Sequence, residues 1–291
     1  MTDRSTFPFR NRIAIAFDFD ETLIPQDSFD AILTRFAIDK EEFDRQKMQP
    51  LLDNDWEKYL ASAYCLTKIS QQRPEKERIT REKLAEVGQN LKPIDGIPEM
   101  FERLRDCAAR IDTELEIEFY LITGGFVELA RNNRIAPNFK RMWGCEFSYN
   151  SAGEIDFIKQ QMTHVEKTRY LFNISQGIDR TEDKDLIYNY RDFSAENLHV
   201  PLDQAIYVGD GTSDVPCFAV MNEYNGFALG IYKSHHRPEE WEHHAQITPH
   251  QKVANLAPAD YRENSELMRS LQLCIESIGK KIALRKLSIG E

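Results

Sequence analysis

The sequence predicts an α/β protein: a Rossmann-like, mostly parallel sheet core with a block of helices inserted near its start. Three observations predict it. Two short uncharged apolar runs, Ile13–Phe17 and Ala205–Val208, read as strands covered on both faces, as in a parallel sheet. Strand and helix signals alternate from Pro93 onward. Between these regions, residues 24–91 carry only helical periodicity.

The first strand ends abruptly in Asp18-Phe19-Asp20-Glu21-Thr22. In the helical block, Phe29, Ile32, Leu33 and Phe36 recur at spacings of three and four, as do Trp56, Leu60, Ala63 and Tyr64. About four helices are expected there, with breaks at Pro50 and Pro74. Pro98–Ala109 reads as a helix through Met100, Phe101 and Leu104. Leu115–Ile122 reads as a strand ending in Thr123-Gly124-Gly125, and Phe126–Arg134 as the next helix. Asn150-Ser151-Ala152-Gly153 lies between two apolar stretches of Phe147–Ile158, a hairpin signal. Thr163–Ser175 reads as a helix. Residues 177–199 are polar without a clean period and read as an insertion loop. Glu263–Leu284 reads as a final helix, with Leu267, Leu271, Cys274, Ile278 and Ile282 along one stripe. No internal repeat or low-complexity tract is present.

Composition excludes several classes. The 37 basic and 48 acidic residues leave a formal charge of −11, which argues against nucleic-acid binding, a role that needs a basic stripe. A phosphorylated substrate is compatible with that balance provided a cation offsets the repulsion. No run of 18 apolar residues suggests a membrane span. The start lacks the apolar stretch of a signal peptide, and the five cysteines form no Cys-x-x-Cys pair. The expectation is a cytoplasmic chain with reduced cysteines.

Three strand ends carry chemistry. Asp18 and Asp20 are two apart, so their side chains share a face. Two carboxylates in one crevice repel unless one takes a proton or a cation intervenes. The protonated form suits a general acid, and the ionised form suits a nucleophile. Asp210 and Asp214 follow another strand, one helical turn apart. Hard oxygen ligands of this kind suit Mg²⁺. Thr123-Gly124 offers a hydroxyl and backbone N–H groups ahead of a helix, the makings of a phosphate cradle. In open α/β sheets, ligands bind beyond the carboxyl ends of the strands, where these three sets would converge.

Together, Asp18-x-Asp20-x-Thr22, a strand ending at Thr123, a lysine opening a helix and Gly209-Asp210-x-x-x-Asp214 resemble the haloacid dehalogenase (HAD) superfamily of phosphohydrolases. The resemblance covers about Ile13 to Val220. Leu121–Phe126 and the hairpin after it look most like the phosphoserine-phosphatase branch. The founding dehalogenases lack the second Asp of the first motif, so Asp20 points to phosphoryl transfer. By this resemblance Asp18 is the nucleophile, becoming an aspartyl phosphate, and Asp20 is the general acid and base. Mg²⁺ is the implied cofactor, held by Asp18, the Asp20 carbonyl and Asp210, with Asp214 ligating or orienting. Thr123 and Gly124 would bind phosphate together with a lysine. Lys159 and Lys167 both lie between the motifs, and Lys167 falls where the family places its lysine.

Spacing sets the cap class. Asp18 and Thr123 are 105 residues apart, about 70 more than a helix and a strand need. Thr123 and Lys167 are only 44 apart. The expected division is a core of residues 1–23 and 92–291 and a C1-type helical cap of residues 24–91. Phosphoserine phosphatases carry a Glu seven positions after the second Asp of the first motif. Asp27 stands there and is the expected cap residue for the substrate, with Arg73, Arg78 and Arg81 as candidates for a substrate carboxylate. His235-His236 and His243-His244 read as solvated pairs, and Cys217 reads as helix packing.

The function this implies is a Mg²⁺-dependent phosphomonoesterase acting on a small phosphorylated metabolite. A phosphotransferase with an acceptor other than water remains open, and so does a degenerate phosphate-binding regulator.

Overall fold

The computed structural model describes residues 11–178, 198–233 and 253–287. Most of the predicted insertion loop and both histidine pairs lie outside the described residues. Seven strands form one sheet in the order β4-β3-β2-β1-β5-β6-β7. These are β1 (Arg12–Phe17), β2 (Glu116–Phe126), β3 (Phe139–Tyr149), β4 (Ile155–Gln160), β5 (Ala205–Gly209), β6 (Phe227–Tyr232) and β7 (Asn255–Pro258). Every pairing is parallel except that of β3 with β4, the predicted hairpin. Ile13–Phe17 of β1 and Ala205–Gly209 of β5 are uncharged because helices cover both faces and leave them buried.

On one face lie α6 (Ile97–Ile111) and the C-terminal α10 (Glu266–Leu287); on the other lie α8 (Glu166–Gln176) and α9 (Val215–Glu223). Helix α6 buries Ile97, Met100, Phe101, Leu104, Cys107 and Ala108, one stripe at helical spacing. Phe101 meets Phe119 of β2 and Phe139 of β3 edge-on, at 4.9 and 5.3 Å. On the opposite face Tyr207 of β5 packs on Phe218 of α9 at 5.9 Å. Helix α10 starts three residues later than predicted. Asn264 adopts φ 66°, and the Ser265 hydroxyl then accepts the Met268 N–H, a side-chain cap.

Between β1 and α6 come the helices α1 (Ser28–Arg35), α2 (Lys40–Glu42), α3 (Gln49–Leu52), α4 (Lys58–Gln72) and α5 (Arg81–Asn90). Pro74 sits at a break after α4, as predicted, but Pro50 does not break the helical run. It lies within α3, directly after a π-helical stretch at Phe43–Met48. Proline has no N–H to give to the preceding turn, and a neighbouring π-helical stretch accommodates that loss.

The block is tied to the sheet at several points. Ile94 N–H donates to the Leu23 carbonyl at 2.9 Å, joining the two crossing segments. Arg81 N–H donates to Gly153 O at 2.9 Å and Ile155 N–H to Ile79 O at 3.0 Å, and Arg78 pairs with Glu154 at 3.0 Å. Asn133 donates to the Gly88 and Leu91 carbonyls, fixing the end of α5 beside the short helix α7 (Val127–Arg131). No described helix is long and apolar enough to cross a membrane.

Candidate active site

Asp18 follows β1 directly, and its N–H donates to the Val208 carbonyl at 2.9 Å. The chain then turns sharply: the N–H groups of Thr22, Leu23 and Ile24 all point at the Phe19 carbonyl, and Glu21 takes φ 56°. This turn holds Asp20 at the same crevice, where its Oδ1 accepts the Ser28 N–H at 2.9 Å.

Lys167, in the first turn of α8, is 1% exposed. Its Nζ lies 3.2 Å from Asp18 Oδ1, 2.8 Å from Asp214 Oδ1 and 3.2 Å from Ser213 Oγ. Burial alone would lower the pKa of this amine, but Asp18 and Asp214 more than offset it and the ammonium persists. Lys159 instead pairs with Glu146 at 2.6 Å and is 55% exposed, so the structure brings Lys167 and not Lys159 to the carboxylates.

Asp210 follows β5, and the short turn after it returns Asp214 beneath the site. Asp214 is fully buried. Its Oδ1 accepts from Lys167 and from the Tyr207 hydroxyl at 2.6 Å, and its Oδ2 accepts the Gly211 N–H. These bonds tie Asp214 to its neighbours and suit the orienting role foreseen as one of two. Cys217, in the helix that follows, is buried packing, as expected.

Thr123-Gly124-Gly125 does not end its strand, as predicted, but continues it. Ile122 pairs with Trp143 and Phe126 with Cys145, so four steps on β2 match two on β3. The surplus residues bulge toward the crevice. The Thr123 hydroxyl accepts the Gly125 N–H at 2.9 Å, leaving its own hydrogen to donate. The Cys145 thiol donates to the Gly124 carbonyl at 3.3 Å.

The carboxylates fit a divalent cation. Asp18, Asp210 and Asp214 each offer an oxygen, all within 4.8 Å of one another. Burial, opposed by Lys167 and reinforced by Asp214, raises the Asp18 pKa to about 7. Burial and the charges of Asp18 and Asp214 lift Asp210 well above the usual carboxylate range. Asp18 Oδ1 is buried and accepts no aligned hydrogen bond. Crowded buried acids that outnumber their one ammonium partner are what a hard cation relieves. Asp20 is lifted well above its ordinary value too, by burial first and then by Asp27 and Asp18.

A crevice of about 350 Å³ opens over these groups. Its far wall comes from the helical block: Phe29, Phe43, Met48, Lys58 and Tyr59. Asp27 lines it, as predicted, but also caps α1 by accepting the Phe29 N–H at 2.8 Å. The three candidate arginines are engaged elsewhere. Arg73 donates to the Phe36 carbonyl, Arg78 pairs with Glu154, and Arg81 lies over the Tyr149 ring. The described cations lining the helical wall are lysines: Lys40, paired with Asp30 at 2.6 Å, and Lys58. Lys58, Tyr59, Ser213 and Tyr207 were not singled out in the sequence. Ser213 lies within a motif that was and Tyr207 two residues before it, whereas Lys58 and Tyr59 carry no local signal beyond helical periodicity.

No family model matches the chain. An uncharacterized protein of Borreliella burgdorferi is 21% identical over 277 residues, 88% of this chain and 94% of its own. Among solved structures, a HAD family hydrolase of Salmonella enterica serovar Typhi superposes with a TM-score of 0.58 at 14% identity, over 90% of this chain and 70% of its own. A probable phosphoserine phosphatase of Vibrio cholerae gives 0.56 at 14% identity, over 96% and 68%. A phosphoserine phosphatase in its apo form gives 0.54 at 15% identity, over 90% and 98%. The fold is that of the haloacid dehalogenase hydrolases. In this HAD fold, all four sequence motifs fall at one edge of the sheet, around one crevice.

Proposed function

We propose that this chain is a Mg²⁺-dependent phosphomonoesterase that hydrolyses a small phosphorylated metabolite through an aspartyl phosphate. The observation that carries the proposal is the meeting of Asp18, Asp20, Lys167, Asp210 and the Thr123-Gly124 bulge at one crevice. The helical block of residues 24–91 acts as a cap over a core of residues 1–23 and 92–291.

Asp18 attacks phosphorus, which divides one displacement into two easier ones. Asp20, kept protonated by its surroundings, gives its proton to the departing alcohol oxygen. It then takes a proton from the water that attacks the phosphorylated Asp18. Lys167 holds the Asp18 carboxylate in place and offsets charge on the transferring group. Thr123 and the Gly124 N–H bind a nonbridging oxygen. Bound Mg²⁺, held by Asp18, the Asp20 carbonyl and Asp210 with Asp214 behind them, would neutralise phosphoryl charge. Asp27 faces the leaving group from the cap.

The test is turnover of purified protein on p-nitrophenyl phosphate and a panel of phosphorylated metabolites, with Mg²⁺ and with a chelator. Hydrolysis should require the metal, and Ca²⁺, with its larger and looser coordination, should replace it poorly. Unchanged activity in chelator would remove Asp210 and Asp214 from the mechanism.

A further inference from the structure

Tyr59, in the first turn of α4, lies against the phosphate cradle. A Cβ built on Gly124 would stand 2.7 Å from the Tyr59 hydroxyl oxygen and 2.9 Å from Cζ, so the phenol rests on the bare Cα of Gly124. Its place is fixed from both sides of the crevice. Glu57 caps α4 by accepting the Leu60 N–H at 2.9 Å, and it also accepts a hydrogen bond from Gln161 of the segment after β4. The Tyr59 ring meets the His164 ring edge-on at 5.9 Å, just ahead of Lys167. Among the described residues the Tyr59 hydroxyl has no hydrogen-bond partner, although the residue is half-buried in a crevice shared with Asp18 and Thr123. The hydroxyl is therefore open to the crevice, beside Gly124, and available as a donor to whatever binds at the Thr123-Gly124 bulge.

Resting on the phosphatase reading above, we infer that Tyr59 is a catalytic residue contributed by the cap: its hydroxyl donates a hydrogen bond to a nonbridging oxygen of the transferring phosphoryl group, beside the Thr123-Gly124 cradle. Burial pushes the phenol pKa up, and it stays a neutral donor throughout the working range. A neutral donor stabilises the anion without changing the net charge set by Asp18, Asp210, Asp214 and Lys167. The role differs in kind from that of Asp27, which faces the leaving group. Tyr59 acts on the part that every phosphate ester shares, and the donor set is complete only with α4 seated on the core.

Tyr59→Phe removes the hydroxyl and keeps the ring on Gly124. With Mg²⁺ present, kcat/KM should fall about tenfold to a hundredfold, the effect of one hydrogen bond to a charged group. The factor should be the same for p-nitrophenyl phosphate and glycerol 2-phosphate, whose leaving groups differ. Affinity for orthovanadate, read by calorimetry without turnover, should weaken alongside, with Tm unchanged. Unchanged kinetics and vanadate affinity would reduce Tyr59 to a packing residue, the more so if Tyr59→Leu, which removes the ring, is impaired. A loss confined to one ester would assign the hydroxyl to the leaving group and overturn the inference. Wild-type protein that neither hydrolyses these esters nor binds vanadate would bring down the phosphatase reading and this one together. An active wild type with an equally active Tyr59→Phe would bring down this one alone.

Discussion

Asp18 and Asp20 are two residues apart and have different surroundings. Asp18 shares its neighbourhood with the Lys167 ammonium, while Asp20 meets the Ser28 N–H and the charges of Asp27 and Asp18. One is thereby suited to ionise when a cation arrives and the other to keep a proton, which is how two like groups divide acid and nucleophile roles. Asp18→Asn should abolish detectable turnover, because an amide does not attack phosphorus, while the fold persists by circular dichroism. Retained activity would remove the covalent step. Asp27 calls for two variants, since it both caps α1 and lines the crevice. Asp27→Ala loses a cap, at a cost of about 0.5–2 kcal/mol of stability. Asp27→Asn keeps a capping oxygen and loses only the charge. If the charge reads the leaving group, Asp27→Asn lowers kcat/KM for the best metabolite by at least about tenfold and changes p-nitrophenyl phosphate hydrolysis much less. Equal losses on both would place Asp27 in service of the core site.

At the scale of elements, the proposed phosphate cradle is a bulge in β2. A regular strand would pair Thr123–Gly125 with its neighbour; here they fall between the Ile122–Trp143 and Phe126–Cys145 pairings, and the Gly125 N–H turns instead to the Thr123 hydroxyl. Gly125 is needed for a second reason. A Cβ there would stand 2.8 Å from Asp20 Oδ2 and 3.0 Å from Ser28 Oγ. Gly125→Ala should therefore displace Asp20, the proposed general acid, and lower kcat by about tenfold or more, while Tm moves little and Mg²⁺ affinity holds. Steady-state kinetics beside a metal titration separates these effects, and a variant with wild-type kcat would show that Asp20 has room to spare. Helix α8 makes the matching contribution from the other side. Its first turn directs Lys167 inward, where an exposed lysine such as Lys159 could not hold a buried carboxylate.

At the scale of the molecule, an acidic chain concentrates three carboxylates at one point of its sheet. Without metal this costs stability, and the cost depends on pH. Asp18 has its folded pKa raised to about 7, above its value of about 3.9 in an unfolded chain. Folding therefore takes up a proton, and this group's contribution is least unfavourable below the unfolded pKa. It worsens as pH rises from about 4 to about 7, and stays lost above that. Mg²⁺ binds the ionised form. The rise in Tm on adding Mg²⁺ should therefore be larger near pH 8 than near pH 5, and Asp18→Asn should flatten the difference. Equal shifts at both pH values in calorimetry would show that the acids are not the metal's ligands.

Uncharged runs bounded by Asp or Gly, helical periodicity and the count of residues between motifs determined the α/β core, the inserted helical block and the convergence of Asp18, Thr123 and Asp210, whereas Lys167 was singled out over Lys159 only by the resemblance. Those features are local, or follow from the rule that strands of one parallel sheet end at one edge. Two details that local signals could not carry were decided by the fold. Pro50 lies in a helical run because the π-helical stretch before it accommodates the missing N–H. Thr123-Gly124-Gly125 stays in its strand because the partner strand extends past it. Which cap side chains reach the crevice was invisible for a stronger reason. Helical periodicity tells which face of a helix is apolar, not what that face meets. Arginines at 73, 78 and 81 and a tyrosine at 59 look alike as amphipathic positions. Only the packing of the helical block on itself and on the β3–β4 hairpin commits the arginines to carbonyl, carboxylate and ring contacts and sets the Tyr59 hydroxyl beside Gly124.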